Sequence, residues 1–149
     1  MKTASRLFVL CLLLTLSINT HAQVITSSRP ELFSSYSNNI AASTSALNKA
    51  LNAKVGSSIQ IDFANQFSFS GIVLSSVQKY SNLSSVIIRS PLLKNSLLSV
   101  SKRINDDNTI TYVGHIINEK FADGYELVQD NTGNYSFNKI KLTDLIQDY

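Results

Sequence analysis

The chain has 149 residues, 44% of them hydrophobic and only 15% charged, with 13 basic and 10 acidic side chains for a net charge of +3. Of its one cysteine and two histidines, Cys11 and His21 fall in the first 22 residues, and the remaining His115 cannot by itself make a zinc site of the thiolate or multi-histidine kind. The single cysteine also has no partner for an intrachain disulfide, so packing must stabilise a chain whose length suits one self-sufficient domain.

The first 22 residues read as a secretory signal peptide. Lys2 and Arg6 supply a positive start, Leu7 to Leu16 an apolar run of about ten residues, and Thr20-His21-Ala22 the small residues a signal peptidase reads. Cleavage is expected before Gln23. The apolar run is shorter than the roughly 20 residues that span a bilayer, so no stable membrane insertion is expected after cleavage. Leu10 precedes Cys11 where a lipoprotein signal needs a small residue, and Cys11 reads as filler of the apolar run. The predicted destination is the periplasm or the medium. Residues 23–149 then form a single domain with 11 basic and 10 acidic side chains, and the whole-chain pI of 9.0 overstates its basicity. Basic residues adjoin only at Lys102-Arg103 and Lys139/Lys141, so nucleic acid is not an expected partner.

Residues 28–53 read as helical. Ser28-Arg29-Pro30-Glu31 has the form of a capping box, and proline is tolerated in a first turn. Phe33, Tyr36, Ile40, Leu47 and Leu51 share one helical face. Residues 34–39 are poor helix formers, so the expectation is one long helix or a break near Asn38/Asn39 with a second helix over 40–53.

From Val55 the hydrophobic period changes to two. Ile59, Ile61 and Phe63 alternate with polar residues, and Phe67, Phe69, Gly71 and Val73 follow the Asn65-Gln66 turn as the second arm of a hairpin. Further extended runs are centred on Val86-Ile87-Ile88, Leu97 to Val100, Thr109 to Ile117, Tyr125 to Val128 and Tyr135 to Phe137. Turn-forming clusters at residues 105–108, 123–124 and 130–134 separate them. Pro91 marks a connection or an edge, because it lacks an N–H for a central ladder. The predicted class is α+β: an N-terminal amphipathic helix, whole or broken, packed on a curled antiparallel meander of six or seven strands. A short helical turn is expected over 143–148, capped by Thr143.

Candidate site residues are few. His115 is the one histidine after the signal segment and the natural acid, base or ligand, yet its alternating neighbours Val113 and Ile117 are apolar. A hydrolase would have to pair it with Asp123 or Glu126. The run Asp130-Asn131-Thr132-Gly133-Asn134 opens like a calcium loop but has Tyr135 and Lys141 where glycine and a bidentate glutamate belong, and it reads as a β-turn. The five glycines are scattered, no serine sits in a nucleophile elbow, and no cofactor is implied. Tyr112, Tyr125 and Tyr135 lie on successive predicted strands and with His115 could present a recognition surface. The expected function is that of an exported, non-enzymatic binding domain for a protein, peptide or glycan. Alternatives are an inhibitor- or propeptide-like module for a secreted peptidase, whose β-rich character residues 55–141 resemble, a carrier of a small apolar ligand inside the curled sheet, and a hydrolase using His115.

Overall fold

The computed structural model describes residues 29–142; the signal segment and the helical turn expected over 143–148 lie outside them. In chain order the elements are β1 (Asn39–Ala42), α1 (Thr44–Leu51), β2 (Ser58–Asp62), β3 (Ser68–Tyr80), β4 (Leu83–Ser90), β5 (Ser96–Ile104), β6 (Ile110–Ile117), β7 (Asp123–Gln129) and β8 (Tyr135–Lys141). The eight strands form one sheet in the order β1-β8-β7-β6-β5-β4-β3-β2. Every neighbouring pair is antiparallel. Seven strands thus run as a meander, and β1 adds itself to the last of them. The sheet curls into a half-barrel whose two edges approach each other, since Ala64, just after β2, donates its N–H to the Ala41 carbonyl of β1 at 3.1 Å.

This corrects the expected α+β class of an N-terminal helix, whole or broken near Asn38/Asn39, on six or seven strands: the sheet has eight, and only Thr44–Leu51 of the expected second helix over 40–53 is helical. The protein is mostly β, and its one helix among the described residues has eight residues. Residues 31–38 run through bends and turns instead of a helix. The helical stripe Phe33–Tyr36–Ile40–Leu47–Leu51 was a coincidence of three different elements. Phe33 is buried from a turn, Ile40 from a strand and Leu47 from the helix, while Tyr36 stays partly exposed. Asn39–Ala42 extends because Ile40 and Ala42 alternate inward opposite Phe137 and Tyr135 of β8. The helix starts only where a serine cap permits it: Ser43 Oγ accepts the Ala46 N–H at 3.1 Å.

Curling is built into two strand glycines. A Cβ on Gly71 would lie 2.4 Å from the Arg89 carbonyl oxygen, and one on Gly114 would lie 2.5 Å from that of Ser99. Neighbouring backbone approaches there too closely for any side chain, as at the tight bends of barrels. The inner face is filled by side chains: Phe69, Val73, Val86, Ile88, Leu98, Ile116 and Phe137 are all essentially inaccessible. Helix α1 lies across this face, contacting β2, β4 and β5, and adds Ala46, Leu47 and Ala50 to the core.

The segment before β1 is held by one carboxylate. Asp123, the first residue of β7, is buried, and its two oxygens accept the N–H groups of Leu32 at 2.6 Å and Phe33 at 2.8 Å. The Phe33 ring then packs edge-on against Tyr125 at 5.1 Å, and Ala122 donates to the Pro30 carbonyl at 2.9 Å. A buried carboxyl group is costly unless hydrogen-bonded, and the paired amides give each of its oxygens a donor. Asp123→Asn replaces one acceptor by an NH2 group that faces a donor. The variant should lose about 1.5–3 kcal/mol of stability, the worth of a charge-assisted bond. Urea unfolding measures this; an unchanged midpoint would contradict the clamp.

Candidate functional site

The three tyrosines expected on a recognition surface are core residues, with exposures of 5% for Tyr112, 0% for Tyr125 and 5% for Tyr135. Their strand positions alternate inward, so the curl turns them towards α1 and the N-terminal segment. Tyr112 and Tyr135 pack edge-on at 5.3 Å, and the Tyr112 N–H donates to the Tyr135 hydroxyl at 3.1 Å. The Tyr112 hydroxyl donates to Asn48 Oδ1 of α1 at 3.0 Å, and that of Tyr125 to the Ser37 carbonyl at 2.6 Å. Each hydroxyl is spent inside the fold, which leaves these rings no face to offer a partner.

His115 sits on the outer face of β6, opposite Ser99 on one side and Glu126 on the other. Its Nε2 lies 3.8 Å from Glu126 Oε1 with both side chains well exposed. The pair stands on a convex, solvated surface, and among the described residues no lysine or arginine lies within ion-pair distance of a carboxylate. Asp123, the other acid considered beside it, faces inward and is consumed by the amides of residues 32 and 33. The structure therefore brings His115 to Glu126 and separates both from Asp123. Such an exposed pair supplies neither the desolvation nor the enclosure that tunes a general base.

Asp130 closes its own turn, its Oδ1 accepting from the Thr132 hydroxyl at 2.6 Å and the amides of Thr132 and Asn134. The Thr132 hydroxyl, helped by the Asn134 amide, holds this carboxyl below the usual aspartate range. Asp107 does the same with Thr109 at the β5–β6 tip. Among the described residues no group of three or more histidine, cysteine or acidic side chains is placed to hold a metal ion. The interior that a carrier would need is occupied by packed aromatic rings, among them Phe63 against Phe137 at 5.3 Å.

What the sequence reading passed over as a mere connection is the most exposed apolar feature of the fold. Leu92, in the turn between β4 and β5, is 81% exposed, while its neighbour Leu93 tucks against the core. Two fully buried serines fix this loop. Ser90 Oγ accepts the Leu93 N–H at 3.3 Å, and Ser96 Oγ donates to the Leu93 carbonyl at 2.6 Å. Asn95 donates its N–H to the Ser90 carbonyl at 2.9 Å. From the neighbouring turn, Asn118 Nδ2 donates to the Lys94 carbonyl at 2.8 Å. Lys94 and Asn95 both take left-handed φ values, 54° and 68°, a conformation that costs energy at a lysine and persists only where its surroundings impose it.

Outside the loop, the register lines up Ile72 with Arg89, Arg89 with Leu97, and Leu97 with Ile117 across four outer-face strands. Two surface hollows flank the loop. One of about 450 Å³ is bounded by Ile59, Ile72, Pro91 and Leu92. The other, of about 300 Å³, is bounded by Leu97 and Ile117 with Lys94, Glu119 and Lys120 at its rim. Compared with known proteins, the chain matches no family model, no curated protein sequence and no solved structure.

Burial pushes the Tyr125 hydroxyl up to about 12, with the nearby Asp123 carboxylate adding to the effect. A phenol whose pKa rises on folding contributes stability that is complete below its unfolded value of 10 and fades as pH climbs towards 12. Chemical unfolding followed by circular dichroism should therefore show stability falling across that interval. Tyr125→Phe should flatten the fall; an equally steep fall in the variant would contradict the assignment.

Proposed function

We propose that the chain is an exported binding module that engages a partner protein through the 91–95 loop and the apolar row beside it. The observation carrying this reading is an 81% exposed leucine on a loop whose backbone is pinned by two buried serines. A mobile loop exposing leucine would need only a solubility argument. A rigid one has already lost the entropy that binding would otherwise cost. Apolar surface concentrated beside such a loop is the usual mark of an interaction site, and rigid scaffolds commonly display their contacts on loops. Arg89 stands within the row and Lys94 and Lys120 border it, against Glu119 beside the loop and Glu126 one outer-face rung away, so the surface is mildly positive and suits an apolar socket with an acidic border. Export, expected from residues 1–22, would put this encounter outside the cytoplasm. The inhibitor- or propeptide-like alternative draws on the same loop, since a stiff apolar projection suits a concave cleft.

Seating Leu92 in a socket should be worth about 1.5–3 kcal/mol, roughly 10- to 100-fold in Kd. A photo-cross-linking residue at position 92, installed in cells of the source organism, should trap a protein that the same residue at position 107 does not. Leu92→Asp should then weaken binding of that protein by at least tenfold with an unaltered melting temperature. Equal trapping at both positions, or undiminished binding by the variant, would overturn the reading.

A further inference from the structure

A second feature lies at the opposite end of the strands from Leu92, on the concave side. Along the inner face, the row Ser76–Val86–Val100–Gly114 closes the core, with Val86 and Val100 both 1% exposed. One step further, the row Gln78–Ser84–Lys102–Tyr112 points the same way and is polar. Its last member is covered by α1 through the Asn48 bond. The other three remain open in a cleft of about 220 Å³ walled by Asn48, Asn52 and Ser76. This cleft adjoins another of about 180 Å³ that shares Gln78, Ser84 and Lys102. Each alone falls below the range, roughly 300–1,000 Å³, of small-molecule sites, and the two together reach its lower part.

The lining has a definite chemistry. Lys102 is its only charged group, is half-buried, and has no carboxylate within ion-pair distance among the described residues. An ammonium with no carboxylate beside it gains a charge-assisted hydrogen bond from an anion that reaches it. Around it stand neutral amides and hydroxyls, which suit a ligand bearing several hydroxyl groups. No aromatic ring lines the cleft, so stacking cannot hold a neutral sugar and the anion must contribute the anchoring term. We infer that this cleft binds a polyhydroxylated monoanion of the sugar-acid class, its carboxylate on Lys102 and its hydroxyls on Gln78, Ser84 and Asn52.

The site is independent of the loop around Leu92, so failure of either reading leaves the other standing. Titration of the 15N-labelled full domain with D-glucuronate should produce saturable shifts centred on the amides of Asn52, Gln78, Ser84 and Lys102. Glucose, which lacks the charge, and acetate, which lacks the hydroxyls, should each bind at least tenfold more weakly. Lys102→Gln should abolish the shifts, and Lys102→Arg should retain them. Absence of saturation with glucuronate would overturn the proposal, as would equal affinity for acetate or undiminished binding by a folded Lys102→Gln variant. Should that variant fail to fold, the comparison of the three ligands on the unaltered protein decides the matter.

Discussion

The Asp123 carboxylate is the constraint on which the fold's closure depends. A sheet grown from β2 to β8 alone would leave β8 as a bare edge and the aromatic inner face open at one end. Asp123 fixes the chain before β1 at exactly two adjacent amides, Leu32 and Phe33, and so delivers the Phe33 ring into the core. The path continues from there. Tyr125 catches the Ser37 carbonyl, Lys139 donates its backbone N–H to Asn38 and its ammonium to Tyr36, and β1 then pairs with β8. Directly after β1, Ser43 caps the helix that crosses the concave side. One buried acid thereby ties residues far apart in sequence into a single layer.

Burial of a carboxyl group with no cationic partner among the described residues is costly in isolation, and its retention here follows from what it replaces. The turn over residues 31–36 presents free N–H groups that no strand or helix can satisfy, and buried donors need acceptors. Asp123 supplies two oxygens to two such donors, and the described residues hold no buried side-chain polar atom without a partner. Ser90 and Ser96 solve the same problem at the β4–β5 turn, where inaccessible hydroxyls satisfy the backbone of Leu93. At both places a polar side chain inside the fold fixes an irregular segment outside the ladder.

The strands from β2 onward were legible because alternation and turn chemistry agree in them. Asn65-Gln66, residues 105–108 and residues 130–134 turn the chain where turn-forming residues cluster, with left-handed φ at Asn65, Gln66, Asn108 and Gly133. But Asp123-Gly124, expected as a turn, opens β7, and β3 runs on to Tyr80 past the expected end at Val73 because polar residues there carry no alternation. β1 was not legible: four residues carry too little alternation to outweigh a helical stripe spread over twenty, and its partner β8 lies almost a hundred residues away. The tyrosines were misplaced for a related reason. Alternation fixes that Tyr112, Tyr125 and Tyr135 share a face but not whether that face is concave, and the curl decides it. Leu92 carried one readable signal, an apolar pair after proline in a turn where polar residues are the rule. Lys102 carried none, because its place beyond the last buried row exists only once the strands are in register.

The two candidate surfaces use different parts of one design. The meander's rigid ladder holds the Leu92 loop at one end, and its polar extension past the core leaves the Lys102 cleft at the other. Both presuppose a sheet that is curled and sealed by the N-terminal segment. Native-state hydrogen exchange tests that seal most directly at the amides of Leu32 and Phe33. If Asp123 clamps them, they should exchange as slowly as the central amides of β7 and β8, through global unfolding alone. Exchange as fast as that of turn amides such as Asn131 would show the segment opening independently, and the account of closure would be wrong.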